Sequence, residues 1–332
     1  MDLASDVGKF SGKKIVILGD LVADQFLKGT ISRVSREAPV FILRHDETET
    51  LPGAAANTAA NVASLGGDAH LVGVVGSDAN GSALLAALGT RGVTLDGIEK
   101  GTSYSTPTKV RVLAGQNYAP RQQVIRIDYE TNGDLDAKLN EQLRVNLKAS
   151  LDGAAGLIVS DYGYGTVSLE IVEEAKDICG RNGIPLVVDS RHRLTELAPG
   201  GSATPNREEL QAILGETPTT AACTRLVAEL NLQSLLATNG NRGMTLYTPD
   251  TDPIELAVVG SPQPVDVTGA GDTVIAAYTL GLASGLPFAD AAKLANHAGG
   301  IVVMKKGTAT VSTDELIASI RDHELTTSVS SA

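Results

Sequence analysis

Val265-Asp266-Val267-Thr268-Gly269-Ala270-Gly271-Asp272-Thr273 leads into a small-residue, apolar run that reaches Ser284 with helical patterning. Gly269, Ala270 and Gly271 lack bulk, so the backbone can approach an anion, and the unpaired N–H groups of a first helical turn would point at it. Asp272 then stands beside that anion hole. A transferring phosphoryl group gains most from positioning and from donors aimed at its oxygens, while a carboxylate can accept the proton of an attacking hydroxyl. The same string also reads as an ordinary N-cap, with Asp272 favoured near the positive end of the helix.

Outward from this string, the 332 residues suit one large α/β domain with an appendage. The formal net charge is −12 with Lys and Arg scattered, which argues against a nucleic-acid surface and requires a local basic cluster for any anionic substrate. Cys179 and Cys223 stand far apart without a metal-ligand spacing, as expected in a reducing compartment. No signal-like segment opens the chain and no apolar run is long enough to span a bilayer. A cytoplasmic protein with no membrane partner is expected.

Short apolar runs at Lys14 to Leu18, Ala69 to Val75, Gly156 to Ser160, Pro185 to Asp189, Ser234 to Thr238 and Met244 to Thr248 predict strands. Helical patterns separate them, among them Ala54 to Leu65, Leu135 to Ser150, Ser168 to Asn182, Arg207 to Leu214, Thr273 to Ser284 and Phe288 to Met304. This alternation predicts an α/β fold: a mostly parallel sheet with helices on both faces, and ligands at the carboxyl ends of the strands. Residues 22–51 and 105–130 break the pattern with Val, Ile, Thr and Arg in alternation, so they are expected to form a small separate sheet. Such insertions cannot bury a core alone; a lid over the main domain, and a homodimer through its apolar face, are expected. The polar tail 326–332 reads as disordered, leaving 1–325 as a single domain.

Pro52-Gly53-Ala54-Ala55-Ala56-Asn57 and the Gly-Ala-Gly-Asp element together resemble the two signatures of the PfkB family of ribokinase-like carbohydrate kinases. Gly19-Asp20-Leu21-Val22-Ala23-Asp24, Thr204-Pro205-Asn206-Arg207-Glu208-Glu209 and Thr238-Asn239-Gly240-Asn241-Arg242-Gly243 match further pieces in the same order. Within the family, Ser32 to Val40, Thr108-Lys109-Val110-Arg111 and Val159-Ser160-Asp161-Tyr162 are similar to the D-glycero-β-D-manno-heptose-7-phosphate kinases. None of the five histidines forms the HxGH motif of the nucleotidyltransferase often fused to such kinases, so a stand-alone kinase is expected.

The resemblance implies a three-layer ribokinase-like fold with a β-lid, and ATP, Mg²⁺ and a sugar phosphate as ligands. Asp272 becomes the base and Gly269, Ala270 and Gly271 the cradle for the transferring group. The acceptor falls to Asp24, Gly53 and Asn57, with Asp20 open between a sugar contact and a turn cap. Its existing phosphate falls to Arg111, Lys109 and Arg33, and Asp161 faces the same crevice. Asn206, Arg207, Glu208, Glu209, Thr238, Gly240, Gly243, Asn296 and Gly299 would serve ATP, with Asn206 and Glu209 holding Mg²⁺ through water. By spacing alone, Asn206 and Glu209 form a capping box. Asp266 and Thr268 match a monovalent cation site, with K⁺ as its ion. Ala54 and Tyr164 depart from the glycine and lysine that relatives usually carry there.

The implied reaction is phosphorylation of the anomeric hydroxyl of the heptose 7-phosphate, toward ADP-heptose and lipopolysaccharide core. Three rivals remain: a family kinase for another sugar or a nucleoside, a catalytically silent sugar-binding regulator, and an NAD-dependent oxidoreductase. The last lacks GxGxxG after its first strand, and no GxxxxGK[ST] loop occurs.

Overall fold

The computed structural model describes residues 2–116, 121–131, 135–249, 251–261 and 263–330, with side chains to 325. In chain order the strands are β1 (Lys14–Gly19), β2 (Leu21–Val34), β3 (Phe41–Ala54), β4 (Asp68–Gly76), β5 (Thr94–Gly101), β6 (Thr108–Gly115), β7 (Gln122–Tyr129), β8 (Gly156–Asp161), β9 (Leu186–Ser190), β10 (Ser202–Ala203), β11 (Ser234–Thr238), β12 (Met244–Tyr247) and β13 (Ile254–Leu256). The helices are α1 (Leu3–Val7), α2 (Ala55–Ser64), α3 (Ala79–Gly89), α4 (Ala137–Ser150), α5 (Leu169–Asn182), α6 (Leu194–Leu197), α7 (Arg207–Leu214), α8 (Thr220–Glu229), α9 (Ala270–Ala283), α10 (Phe288–Val302) and α11 (Thr313–Ser330).

The large sheet runs β13-β12-β11-β10-β9-β8-β1-β4-β5, parallel except where β12 and β13 close one edge. Its centre shows why the chain folds this way. Successive residues of a strand face opposite sides. Ile15 and Ile17 of β1 accordingly join the core beneath α2, α9 and α10, while Val16 and Leu18 join a second core with Leu143 and Leu147 of α4 and Ile171 and Val172 of α5. A strand that is apolar on both faces can only sit between two helical layers.

The second sheet has four strands in the order β3-β2-β6-β7, with β2 antiparallel to β3 and parallel to β6. It corresponds to the two insertions. β2 starts at Leu21, directly after β1, so Asp24 stands on the small sheet, inside the first insertion. β5, β13 and α1 were not anticipated, and α11 continues to Ser330 where a disordered tail was expected from 326; residues 331–332 lie outside the described residues. No helix among the described residues is long and apolar enough to cross a membrane.

Candidate active site

The start of α9 organises the site. Gly269 is its N-cap at φ +76°, and a Cβ there would come within 2.5 Å of Asn57 Nδ2. Glycine is therefore required twice, by the left-handed backbone and by the approach of α2. The helix begins at Ala270, earlier than the apolar pattern predicts, because Thr273 N–H already donates to Gly269 O at 3.2 Å. Asp272 thus lies inside the first turn. Ala270 N–H donates to Val267 O, whereas the N–H groups of Gly271 and Asp272 have no acceptor among the described residues, and the space beside Gly271 is open. A helix start with free donors and open space in front of them is able to receive an anion.

The Asp272 side chain is buried. Asn57 Nδ2 donates to its Oδ2 at 2.8 Å, while Tyr162 Oη, at 3.0 Å, and Thr58 Oγ1, at 3.4 Å, donate to Oδ1. Burial pushes its pKa up to about 6, held there against a larger rise by those three donors and the nearby Lys109 ammonium. Asn57 is itself braced, since Asn61 Nδ2 donates to its carbonyl at 3.0 Å and Thr273 Oγ1 donates to Asn61 Oδ1 at 3.0 Å. Helices α2 and α9 are thereby locked across the base.

Around this point several expectations change. Asp20 does cap the turn: its carboxylate accepts N–H bonds from Tyr162, Tyr164 and Thr166, and so holds the turn after β8. Asp161 accepts from Ser190 Oγ and from the Arg193 guanidinium, so it braces β8 against β9. Arg111 is not a free phosphate clamp; Nε and Nη2 both donate to Asp24, at 2.8 and 3.3 Å, in a nearly buried pair. Arg33 is exposed on β2, nine residues beyond Asp24 and so about 30 Å along the strand, outside the cluster within this chain. Lys109 stays open. It makes no hydrogen bond or ion pair among the described residues, lies 5.7 Å over the Tyr162 ring, and is held below its ordinary pKa by burial and by Arg191. Gly53 pairs with Val22 beside Asp24, and Ala54, which follows it, is held at φ +55°, ψ −134° against Val22 and Tyr164.

Beyond the anion hole, Thr238, Gly240, Gly243, Asn296 and Gly299 line a single cavity of about 180 Å³ that reaches Ala270 and Gly271. Gly243 has φ +82°, and a Cβ on it would strike the Leu256 carbonyl. Asn296 Nδ2 donates to Ala257 O at 2.7 Å, fixing the wall after β13. Asn206 and Glu209 form the complete capping box of α7: Asn206 Oδ1 accepts from the N–H groups of Glu208 and Glu209, and Glu209 Oε2 accepts from Asn206 N–H. Arg207 lines a separate cleft with Asn239 and Arg242, and Glu208 is exposed. Asp189, at the end of β9, has its pKa pushed well up by burial and then by the Glu209 and Asp272 carboxylates. Among the described residues no three His, Cys, Asp or Glu side chains gather to hold a metal by themselves. Asp266 accepts from Thr268 N–H at 3.0 Å and Gly307 N–H at 2.9 Å; burial opposes its charge, but these bonds leave its pKa lowered.

Residues 13–315 match the pfkB family carbohydrate kinase. The chain belongs to the pfkB family of carbohydrate kinases. The bifunctional protein HldE of Haemophilus influenzae strain PittEE is 36% identical over 320 residues, 95% of this chain and 65% of the relative. That of Histophilus somni strain 129Pt is 37% identical over 315 residues, 93% of this chain and 64% of the relative. The chain therefore spans a little under two thirds of the length of these relatives. Arabidopsis thaliana ribokinase, solved with ribose and ATP, superposes with a TM-score of 0.71 at 21% identity, over 93% of this chain and 99% of that one. Escherichia coli phosphofructokinase-2, solved with substrates and products, gives 0.74 at 20% identity, over 93% and 99%. The fold is ribokinase-like, and the enzyme is a phosphotransferase acting on a sugar hydroxyl.

Sequence reasoning left this kinase's Tyr162, Thr58, Asp189 and Arg193 without roles. Tyr162 lies in Val159-Ser160-Asp161-Tyr162, but only tertiary contact brings its hydroxyl to Asp272. Thr58 follows Asn57 in the helix and carried no separate signal.

Proposed function

We propose that this kinase transfers the γ-phosphoryl group of ATP to the anomeric hydroxyl of D-glycero-β-D-manno-heptose 7-phosphate. Asp272 takes the hydroxyl proton, the freed oxygen attacks the γ-phosphorus, the bond to the β-phosphate oxygen breaks, and ADP and the 1,7-bisphosphate leave. The observation that carries this reading is a buried carboxylate, half-ionised near pH 6, beside two unpaired N–H groups of a helix start.

The cavity from Thr238 to Gly299 suits the nucleotide's base and ribose, with its phosphates running toward Gly271. Glu209 and Asp189 are the carboxylates that would hold a hydrated Mg²⁺: the Glu209 charge bears on Asp189, a repulsion that a cation would relieve, and only one Glu209 oxygen is used by the cap. Such an ion would neutralise charge on the polyphosphate. Asp266, held charged beside Thr268, is assigned to a monovalent cation such as K⁺. Asp24 and Asn57 are assigned to sugar hydroxyls and Lys109 to an anionic oxygen of the acceptor. In the absence of acceptor Arg111 neutralises Asp24, and it can share its guanidinium with the sugar's own phosphate. The heptose reading rests on the motifs of the small sheet and on HldE proteins at 35–37% identity over nearly the whole chain.

The small sheet is further proposed to act as a lid and to pair two copies of the chain. Phe41, Val124, Ile125, Ile127 and Tyr129 are all exposed on it, a concentration of apolar surface unusual for a free edge. Sedimentation should give a dimer that Ile125→Lys converts to monomer; a monomeric wild type would end this part of the reading.

ADP release should be measured with heptose 7-phosphate, fructose 6-phosphate, fructose 1-phosphate, ribose and adenosine as acceptors. Selective turnover of the heptose phosphate is expected. Preference for another acceptor would keep the kinase and discard the substrate, and ATP binding without turnover of any acceptor would favour a regulator.

A further inference from the structure

We propose that Tyr162 is a positioning residue for Asp272, fixing the orientation of the carboxylate and tying it to Lys109 on the small sheet. The proposal rests on the reading of Asp272 as the base. Tyr162 sits where three parts of the molecule meet. Its backbone N–H donates to Asp20 at 2.8 Å, and Asp20 also takes the N–H groups of Tyr164 and Thr166, so the turn carrying the ring is clamped to the end of β1. Its hydroxyl donates to Asp272 Oδ1 at 3.0 Å, opposite Asn57 on Oδ2. Its ring lies beneath the Lys109 ammonium of β6.

With one firm donor on each oxygen, the carboxylate cannot rotate about its terminal bond without losing both. Thr58 Oγ1 takes the other side of Oδ1 at 3.4 Å, so the second lone pair of Oδ2 is the one left for the acceptor hydroxyl. The phenol stays protonated, because burial and the Asp272 charge hold its pKa well above the ordinary value, so it orients the base without competing for the proton. Charged groups facing this point include Lys109 from β6, Asp189 from β9 and Glu209 from α7, with Arg191 after β9 beside Lys109 and Glu209, and Asp161 of β8 beside Asp189. A ring that merely filled space would need no hydroxyl. Here the hydroxyl is spent on the base.

Tyr162→Phe separates the two roles, since it keeps the ring and removes the donor. We expect kcat to fall about tenfold or more, the KM for ATP to stay within about twofold, and the acid limb of kcat/KM to move to higher pH, since the carboxylate loses a donor that favours its charged form. A Phe variant with wild-type kcat and an unmoved acid limb would overturn the proposal, whatever its thermal midpoint. Asp272→Asn, assayed alongside, separates the two claims. If it stays active, the base itself is misassigned; if it is dead while Tyr162→Phe matches wild type, only the positioning role fails.

Discussion

The two sheets solve opposite problems. In the body, β1 is buried on both faces between helical layers, whereas every residue of β7 in the small sheet is exposed. Their polar groups follow suit. The body holds Asp20, Asp161 and Asp272 in full sets of hydrogen bonds at strand ends and a helix start. The small sheet carries charges in pairs of very different depth: Arg111 with Asp24 is nearly buried, while Arg126 with Asp128 is half open to water. The proposed base thus sits on the layered body, and the groups assigned to the acceptor, Asn57 of α2 apart, sit on the more exposed element.

Breaking the body side should cost most. Asp272→Asn is expected to lower kcat by about 10²–10⁴-fold with ATP affinity nearly unchanged, checked by turnover and equilibrium binding; loss of ATP binding in a folded variant would contradict the role. On the small sheet, Arg111→Ala strands the Asp24 carboxylate and should destabilise the fold by about 3–5 kcal/mol, read from urea unfolding. Arg126→Ala, whose pair is exposed, should cost no more than about 1 kcal/mol. If the two arginines cost the same, the contrast in depth is wrong.

The smallest effect is expected where the two regions join. Ala54 ends β3 and caps α2 at φ +55°, one of two non-glycine residues with positive φ among the described residues. Ala54→Gly relieves strain of about 1–3 kcal/mol but frees the unfolded chain by about 0.5–1 kcal/mol and removes a buried methyl worth about 0.8 kcal/mol. A net gain below about 1 kcal/mol in unfolding free energy is expected; a loss of 2 or more would show that packing against Val22 and Tyr164 dominates.

The body was readable in the sequence because its strands are apolar runs and its turns are glycine-rich. The two insertions were likewise visible as a separate sheet. β5 escaped because Thr94 to Gly101 has only Leu95 and Ile98 as apolar side chains, with Gly97 breaking their alternation, at the sheet's edge. At the site, the residues expected to hold ATP after β11 and on α10 do share one cavity, since chain position at strand ends fixes where they face. Side-chain partnerships were not readable. Nothing in the local pattern of Arg193 announces Asp161, thirty-two residues back on a neighbouring strand, or distinguishes Asp20, held by backbone N–H groups, from Asp24, paired with Arg111. Arg111 looked available for a phosphate for the same reason: its partner is set by the β2–β6 register, which pairs Phe26 with Arg111 and Asp24 with Lys109.

The most direct test of the account is the pH dependence of kcat/KM for the acceptor. Asp272 acts only as the carboxylate, and its pKa stands at about 6. Activity should therefore be level above pH 7 and fall tenfold per pH unit below about 6, and this limb should be missing from any residual activity of Asp272→Asn. A wild-type profile flat from pH 5 to 8 would contradict a buried Asp272 as the group that takes the proton.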